Sequence, residues 1–449
     1  MKPTADPASG PLDDARLATE RTAATLRARG YQAYFVGGCV RDLLRGEAPK
    51  DYDVATDALP GEVLTLFPGS LAVGAQFGVV IVVAGEHRIE VATFRNDGVY
   101  SDGRRPDQVS YSREPREDVL RRDFTINGLL LDPQSGEVLD FVDGRADIER
   151  GIVRTIGNPE RRFEEDRLRM LRAVRFAAGF EYQIAPETSA AVHRLSAKIA
   201  TVSAERVRDE LLRILISGHA RRGFELLDQT GLLPVILPEI AAMQGVQQPP
   251  QFHPEGDVWT HTLLMLEMLG KDCSPTLAMG VLLHDVGKPP TFRVAPDRIR
   301  FDNHVTVGQR MAEEICRRLR FSQEQTAQIS AMVEHHLRFG AVHQMKQSTL
   351  KRFLRLPKFE EHLELHRLDC LSSHRHLENY DFMVAMQSEL SHHEIRPQPL
   401  ITGRDLIQMG FQPGPRFKDI LHEVEDAQLE GRLTSTEEAM KFVREHYSA

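Results

Sequence analysis

The most constraining feature of the sequence is a short apolar run that ends at two glycines. Residues 34–36 (YFV) precede Gly37 and Gly38, and a helical pattern follows over residues 40–45. This order predicts a β-strand, a glycine turn and a helix N-terminus. Two glycines let the backbone approach a bulky ligand, and the free N–H groups of a helix start favour an anion such as a triphosphate. We expect Gly38 and Arg41 to lie against that anion, with the arginine bound to a phosphate oxygen.

Two carboxylates follow this turn closely. Asp51 and Asp53 are separated by one residue, a spacing that places both side chains on one face of a strand. Two oxygen ligands on one face suit Mg²⁺, which keeps several waters and takes its remaining ligands from substrate phosphates. A glycine pair or an aspartate pair alone is common in ordinary turns. Both together, in this order, favour a nucleotidyltransferase site.

The block VGGCVRD…KDYDVAT at residues 36–56 resembles the first motif of the class II tRNA nucleotidyltransferases and bacterial poly(A) polymerases, a family of the polymerase-β superfamily. LRRDFTING at residues 120–128 resembles the second motif, with Gly128 in place of the usual alanine, and DFVDG at residues 140–144 resembles the third. The resemblance implies an α+β fold, in which a small N-terminal polymerase-β-like head with a mixed sheet and helices precedes all-α domains. It also implies that Arg122 contacts the triphosphate and the sugar.

A predicted hairpin supplies a third carboxylate. Two β-branched runs, residues 79–83 and 88–94, flank a turn at residues 85–87. Glu90 in the second run is either an ordinary solvent-facing glutamate or a third metal ligand, since phosphoryl-transfer sites often place several acids around two metal ions. The family has a glutamate with that role in this hairpin, so the resemblance implies that Glu90 is catalytic together with the two aspartates.

Residues 95–108 are charged and glycine-rich and have no apolar period. Their composition predicts a mobile loop. The resembled family has a flexible loop at this place, which helps to reposition the nucleotide pocket between additions.

The segment FEEDRLRMLRAVRF at residues 163–176 predicts one amphipathic helix, with acids in its first turn and arginines after them. Asp166 and Arg169 would then be neighbours at i, i+3. Their ordinary interpretation is a salt bridge on a solvated face. The alternative is base selection: a carboxylate accepts from an exocyclic amine while a guanidinium donates to a ring acceptor, an arrangement that fits cytosine and adenine and rejects uracil and guanine. The segment resembles the family motif EDxxRxxRxxRF, which implies base selection and makes Arg172 and Arg175 further nucleotide or phosphate contacts.

Histidines and aspartates of the C-terminal half form a second constellation around HDVGK at residues 284–288, which follows an apolar helical pattern. Imidazole and carboxylate ligands from separate helices suit a divalent transition metal or Mg²⁺, although a lone histidine is more often a satisfied core residue. The set resembles the HD-domain phosphohydrolase pattern, which implies an HD fold that is either catalytic or structural. The candidate ligands are His261, His284, Asp285, His304, His336 and Asp369.

The predicted domain order has six segments. They are a flexible tail (residues 1–13), the nucleotidyltransferase head (14–146), a helical neck with the base-selecting helix (147–215), a helical body (216–250), an all-α HD domain (251–380) and a helical C-terminal tail (381–449).

Composition limits the functional classes. The 449 residues include 27% charged and 41% hydrophobic residues, as in a soluble globular protein, and no run of about 18 apolar residues predicts a membrane span. The four cysteines are scattered and the N-terminus lacks a signal-peptide pattern, so we expect a reducing, cytoplasmic location. The net charge of −9 counts against a general attraction to nucleic acid, but phosphate contacts depend on local patches. Residues 346–355, with four basic side chains, are one candidate patch.

Taken together, these patterns predict a CCA-adding tRNA nucleotidyltransferase that uses Mg²⁺, CTP, ATP and tRNA. The nearest alternatives are an enzyme that adds only CC or only A, or a poly(A) polymerase; residues 73–79 lack the paired basic residues typical of the latter. A metal-dependent phosphohydrolase with an inactive head and a non-catalytic RNA-binding protein are less favoured, because the paired aspartates are intact. The sequence leaves the oligomeric state open.

Overall fold

The computed structural model describes residues 11–74, 78–97, 109–249, 251, 253–296 and 298–448. The chain separates into two compact units, Met1–Pro238 and Glu239–Ala449. Among the described residues, no helix combines the length and the apolar character needed to cross a bilayer.

A mixed seven-stranded sheet forms the head of the first unit, in the order β3-β4-β5-β2-β1-β8-β9 over the described residues. Neighbouring strands are antiparallel except β2 and β5, which are parallel. The strands are β1 (Ala33–Val36), β2 (Asp53–Thr56), β3 (Leu71–Gly74), β4 (Val79–Ala84), β5 (His87–Thr93), β8 (Leu129–Leu131) and β9 (Val138–Asp140), and a separate antiparallel pair is formed by β6 (Arg95–Asp97) and β7 (Val109–Tyr111).

Helices pack against this sheet and continue into a helical region within the same unit. They are α1 (Pro11–Ala28), α2 (Gly38–Leu44), α3 (Pro60–Leu66), α4 (Pro115–Leu120), α5 (Gly144–Arg150), α6 (Pro159–Glu165), α7 (Arg169–Gly179), α8 (Pro186–Leu195), α9 (Ala204–Leu215), α10 (Ala220–Gln229) and α11 (Leu233–Ile236). Two short strands form a parallel pair: β10 (Ile152–Val153) lies between α5 and α6 in the sequence, and β11 (Gln183–Ile184) lies between α7 and α8.

The predicted strand, glycine turn and helix are confirmed as β1, Gly37 and α2, and the predicted hairpin is confirmed as β4 and β5. The β5 side chains alternate: Ile89 and Val91 are buried, whereas Arg88 and Glu90 are exposed. This alternation puts Glu90 on the open face of the sheet.

Three expectations about local structure need correction. Helix α1 begins at Pro11, so the predicted loose tail of residues 1–13 is wrong at its last three positions, and residues 1–10 lie outside the described part. Of the predicted loop at residues 95–108, the first three residues form β6, and residues 98–108 lie outside the described part.

The third correction concerns the single helix expected over residues 163–176, which is broken into α6 and α7. Asp166 is extended, with φ −146° and ψ 106°. Its Oδ1 accepts a hydrogen bond from the backbone N–H of Leu168 at 3.1 Å. Aspartate side chains that bond the backbone two residues on compete with helix formation, which accounts for the break.

The second unit is predominantly helical. Its centre is α14, whose residues 276–283 are all buried, and α13, α17 and α19 pack around it. Its helices are α12 (Pro238–Ala241, which starts at the unit boundary), α13 (Val258–Met268), α14 (Pro275–Leu283), α15 (Lys288–Thr291), α16 (His304–Arg318), α17 (Gln323–His335), α18 (Gln347–Leu354), α19 (Phe359–Ser372), α20 (Glu378–Glu389), α21 (His392–Ile395), α22 (Gly403–Gln408), α23 (Arg416–Leu429) and α24 (Thr436–His446), and its hairpin is β12 (Phe292–Val294) with β13 (Ile299–Phe301).

The basic segment at residues 346–355 forms α18, but it does not offer the free phosphate-binding patch that the sequence suggested. Lys351 donates to the carbonyl of Leu429 at 2.9 Å. Arg352 and Arg355 both pair with Glu425 of α23, at 2.7 and 2.5 Å. Three of the four basic side chains therefore stabilise the packing of α18 on α23.

Candidate active site and metal centre

The three predicted catalytic carboxylates lie around the start of β2 and the middle of the neighbouring strand β5. These strands are parallel with Val54 opposite Val91, so Asp53 and Glu90, each one residue earlier, lie side by side on the same face. Asp51 is exposed and precedes β2 by two residues. The expectation that both aspartates belong to one strand is therefore wrong for Asp51, although the two remain close enough to interact electrostatically.

The electrostatics of this group fit a divalent cation. Burial, together with the negative charges of Glu90 and Asp51, raises the pKa of Asp53 to about 7, while Arg122 acts in the opposite direction. Carboxylates that repel one another in this way are stabilised by a shared cation, and oxygen-rich groups of this type suit Mg²⁺.

The glycine turn lies directly beside Asp53, because Val36 at the end of β1 pairs with Asp53. Gly37 has φ 74° and ψ −126°, a conformation that favours glycine. A Cβ atom on Gly37 would lie 3.6 Å from Nη1 of Arg122, and a Cβ atom on Gly38 would lie 3.6 Å from Nη2 of Arg41. Two glycines and two guanidinium groups thus border the carboxylates, as an anion site requires.

Arg41 is more strongly held by the protein than the sequence suggested. It is only 8% exposed, and its Nη1 donates to Oδ1 of Asn127 at 2.7 Å. It also pairs with Asp42 at 2.7 Å, and its guanidinium lies 4.6 Å from the ring centre of Phe180. Its predicted contact with phosphate stays a prediction.

Sequence reasoning missed a buried chain of polar contacts that connects this arginine to α7. Asn127 donates through Nδ2 to Oδ1 of Asp123 at 3.1 Å, and Arg172 donates through Nη2 to Oδ2 of Asp123 at 2.6 Å. Although burial acts to raise the pKa of Asp123, Arg172 and Asn127 lower it to about 2. Asp123 and Asn127 were visible within the RRDFTIN motif, but nothing in their spacing indicates that they link α2 to α7.

The two predicted base-selecting residues do not pair with each other. Asp166 Oδ2 accepts from Nη2 of Arg206 in α9 at 2.8 Å. Arg169 donates from Nη1 to Glu165 at 2.9 Å and to the carbonyl of Arg162 at 3.2 Å, and from Nη2 to the carbonyl of Arg121 at 3.3 Å. The ordinary interpretation, an i, i+3 salt bridge between them, is wrong because the helix breaks between the two residues. Glu165 and Arg206 are the anchors that the sequence did not reveal.

Arg172 and Arg175 also have acidic partners inside the unit. Arg172 pairs with Asp123, and Arg175 pairs with Glu210 of α9 at 2.6 Å. Their guanidinium groups lie 5.4 and 4.1 Å from the ring centre of Phe176. A direct role for either arginine at the nucleotide stays a prediction.

In the second unit the six predicted metal ligands converge from separate helices. His261 belongs to α13, His304 begins α16 and Asp369 belongs to α19, while His284 and His336 follow the last turns of α14 and α17. Nε2 of His261 lies 3.2 Å from Asp369, and Nε2 of His284 lies 3.1 Å from Asp285. The adjacent His335 pairs instead with Glu334 at 3.9 Å.

The arrangement turns the metal-binding atoms toward one another. Nδ1 of His284, His304 and His336 each lies 2.7–2.9 Å from a backbone carbonyl, which directs Nε2 inward. Among the described residues, Nε2 of His304 and Oδ1 of Asp285 are buried without a hydrogen-bond partner, whereas Nε2 of His261 and His284 and Oδ2 of Asp285 contact other members of the cluster or Lys288. Orphaned buried polar atoms of this kind are rare without a ligand, so the donor set fits a bound cation.

Two overlapping groups of donors share Asp285. One consists of His261, His284 and Asp285, and the other consists of Asp285, His304 and His336. Gly287 permits this geometry, because a Cβ atom there would lie 2.1 Å from the carbonyl oxygen of His304. Lys288 is buried beside the cluster and pairs with Asp285 at 2.7 Å.

Three family descriptions match consecutive parts of the chain. Residues 33–154 match the "Poly A polymerase head domain", residues 181–244 match the "Probable RNA and SrmB- binding site of polymerase A", and residues 303–443 match "tRNA nucleotidyltransferase domain 2 putative".

Curated relatives are similar to part of the chain. A CCA-adding enzyme of Lactiplantibacillus plantarum is 41% identical over 251 residues, which are 55% of this chain and 61% of that protein. A CCA-adding enzyme of Geobacillus stearothermophilus is 45% identical over 207 residues, 46% of this chain and 51% of that protein. The matches thus span only about half to three fifths of the length of these relatives.

Solved structures are similar over nearly the whole chain. The crystal structure of the Bacillus stearothermophilus CCA-adding enzyme in complex with CTP aligns with a TM-score of 0.74 at 25% identity, covering 97% of this chain and 99% of that one. The Thermotoga maritima CCA-adding enzyme complexed with tRNA aligns with a TM-score of 0.58 at 19% identity, covering 98% and 96%, and shows the fold alone. On these grounds the chain belongs to the family of CCA-adding enzymes and bacterial poly(A) polymerases.

Proposed function

We propose that the protein is a CCA-adding tRNA nucleotidyltransferase, which transfers CMP and AMP from CTP and ATP to the 3′ hydroxyl of tRNA and releases pyrophosphate. The observation that carries the proposal is the cluster of three carboxylates, Asp51, Asp53 and Glu90, next to the Gly37–Gly38 turn. The curated relatives named above are CCA-adding enzymes, and the similar Bacillus structure holds CTP. We place the activity in the cytoplasm, where the described free cysteines would stay reduced.

In this function the three carboxylates hold Mg²⁺, which would activate the 3′ hydroxyl and stabilise charge on the phosphates. The backbone N–H groups after Gly37 and the guanidinium of Arg122 lie beside that group and bind the triphosphate. Arg41 borders the same turn and, through Asn127 and Asp123, is connected to α7. These contacts link the triphosphate side of the site to Arg172 of α7, the helix that begins with Arg169.

We assign base selection to Asp166 and Arg169, whose side chains are held separately, by Arg206 and by Glu165. Each carboxylate oxygen of Asp166 accepts one hydrogen bond in the structure, and a carboxylate oxygen can accept a second. Arg169 uses both Nη1 hydrogens and one Nη2 hydrogen within the described residues, which leaves Nε–H and one Nη2–H for a ring acceptor. An amine beside an acceptor, as in cytosine and adenine, satisfies both residues without a nucleic-acid template.

A transfer assay tests the proposal. tRNA that lacks its CCA end is incubated with Mg²⁺ and each of CTP, ATP, UTP and GTP. The wild type should incorporate CMP, whereas Asp51→Ala and Asp53→Ala, checked for native circular dichroism, should incorporate no nucleotide. Near-normal incorporation by either folded variant would contradict the assignment. Addition of A from ATP alone, a long A tail, or a product that stops at CC when CTP and ATP are supplied together would favour one of the alternative activities.

The histidine cluster supports a second candidate function, a metal-dependent phosphohydrolase. The favouring observation is the set of orphaned donor atoms around Asp285. A divalent cation held there would supply a water nucleophile at neutral pH. The test uses phosphomonoester and cyclic phosphodiester substrates with Mg²⁺, Mn²⁺, Ni²⁺ or Co²⁺. Hydrolysis that His284→Ala abolishes would support the function, and no hydrolysis with any of these ions would leave the cluster a structural role.

A further inference from the structure

One buried carboxylate outside the predicted ligand set distinguishes His261 from the other imidazoles of the cluster. Nδ1 of His261 lies 2.7 Å from Oε1 of Glu255. The remaining histidines are oriented by backbone carbonyls, at 2.8 Å for His284, 2.9 Å for His304 and 2.7 Å for His336. His261 is therefore the one ligand among these four that is paired with a formal negative charge on its outer side.

We propose that Glu255 is a positioning residue that makes the metal position on the His261 side tighter than the one on the His304 side. The inference rests on the metal centre proposed above. It adds that the two positions are unequal and that Glu255, which with His253 and His261 could itself hold an ion, sets the difference through its contact with Nδ1 of His261.

The physical reason is the acceptor that each imidazole faces. A carboxylate that accepts from Nδ1–H fixes the tautomer and increases the basicity of Nε2 more than a neutral carbonyl does, because the hydrogen bond gains a charge. The His261 side also includes Asp369, whose carboxylate lies 3.2 Å from Nε2 of His261. The other side has Asp285, His304 and His336, and it shares Asp285 with the first.

The structure holds Glu255 firmly enough for this role. Its side chain is 7% exposed, and the same Oε1 atom lies 2.9 Å from Nδ1 of His253. The ring of His253 packs edge-on against His261, with ring centres 4.9 Å apart. Asp257 anchors the loop, since it caps α13 through the N–H of Thr260 at 2.8 Å and accepts from the N–H of Gly245 at 2.6 Å.

The test is a cation titration of the full chain. Metal-free protein is titrated with Co²⁺ and followed by visible absorption and calorimetry, with Glu255→Gln as the variant. Glu361→Gln is the matched control, because Glu361 is a largely buried carboxylate of the same unit that accepts from Ser274 and Thr276. Circular dichroism and the Tm of each metal-free variant show whether it is folded.

We expect two unequal binding steps in the wild type. Glu255→Gln should weaken the tighter step by about 10- to 100-fold, leave the weaker step unchanged and keep the stoichiometry. Glu361→Gln should change neither step. His253→Ala, which spares the contact between Glu255 and His261, should also keep the tighter step.

Several results would overturn the inference. Unchanged affinities in folded Glu255→Gln would show that the carboxylate does not act on the metal, and loss of a whole equivalent of Co²⁺ would make Glu255 a ligand. Loss of the tighter step in His253→Ala would assign that histidine to the metal as a ligand. If the wild type does not bind Co²⁺, the proposed metal centre itself is wrong. The other results would contradict only the role of Glu255 or His253 and would leave the metal centre in place.

Discussion

Asp53 shows how a site residue lowers the stability of the protein that carries it. Burial and two neighbouring carboxylates raise its pKa to about 7, so the folded protein binds this proton more tightly than the unfolded chain does. The free energy of unfolding of the metal-free protein should therefore fall as pH rises from about 4 towards 7. Divalent cations should restore the free energy of unfolding, because a cation bound to Asp53 neutralises its charge as the proton does.

Asp53→Asn tests this account. Without the charge, the variant should be more stable than the wild type in EDTA at pH 8, by about 1–3 kcal/mol, and its Tm should not rise when Mg²⁺ is added. Thermal melts of both proteins between pH 4 and pH 8, with EDTA or Mg²⁺, measure it. Equal melting temperatures in EDTA at pH 8 would mean that Asp53 is not repelled by its neighbours. The control is Asp57→Asn, a substitution in the same region outside the carboxylate group.

Asp166 carries the prediction about base choice. Asp166→Ala removes the acceptor that opposes a carbonyl in the amine position, so discrimination against UTP and GTP should fall. Loss of such a polar mismatch is worth roughly 1–3 kcal/mol, about a ten- to hundredfold change in relative kcat/KM. Asp53→Asn should instead lower kcat/KM for all four nucleotides together.

The measurement is kcat/KM for each nucleotide on one tRNA acceptor. If Asp166→Ala keeps the wild-type ratio of CTP to UTP, selection lies elsewhere and the residue serves only to hold the turn between α6 and α7.

At this scale the sequence identifies residues better than it identifies their contacts. Asp53 and the glycines could be found because they belong to a local strand, turn and helix pattern, and Glu90 because its hairpin resembles that of a known family. Glu255 could not, because its importance depends on a histidine six positions away whose ring direction no pattern gives. Arg206 is forty positions from Asp166 and looks like any solvated helical arginine.

Among the elements, those built from local pattern were predicted well. The β1–α2 turn and the β4–β5 hairpin follow from apolar runs and glycines, and α22, α23 and α24 agree with the helical C-terminal tail predicted for residues 381–449. The break between α6 and α7 was missed, since the amphipathic pattern of residues 163–176 continues through it. A single Asp166–Leu168 hydrogen bond, which competes with the helix, decides the local structure.

The break gives α9 a role that can be tested. Arg206 of α9 pairs with Asp166 at 2.8 Å, so Arg206→Ala should lower kcat/KM for CTP and ATP and reduce discrimination against UTP. A hydrogen bond between charged groups is worth about 1.5–3 kcal/mol, which corresponds to roughly a ten- to hundredfold loss.

Arg206→Lys should recover part of the loss, because it restores the charge. Arg213→Ala is the control on the same helix, where the 60% exposed Arg213 pairs with Glu210 at 3.3 Å. If Arg206→Ala lowers the Tm but leaves the ratio of CTP to UTP unchanged, the salt bridge is structural only.

At the scale of the whole molecule, the two groups of candidate functional residues belong to different units. The carboxylates lie in Met1–Pro238 and the histidine cluster in Glu239–Ala449. His284→Ala should therefore leave nucleotide addition unchanged while it reduces cation binding by the cluster. Addition rates and Co²⁺ binding of the same preparation measure both effects. A loss of addition in a folded variant, with unchanged affinity for tRNA, would show that the units depend on each other.

The central claim is tested most directly by the products made on defined tRNA ends. tRNAs that lack CCA, that end in C and that end in CC are each incubated with CTP, ATP or both, and the products are resolved to single nucleotides. The account predicts that CTP completes CC on the first two, that ATP adds one A to the third, and that synthesis then stops. Addition of A to the end that lacks CCA, or continued growth beyond CCA, would contradict it.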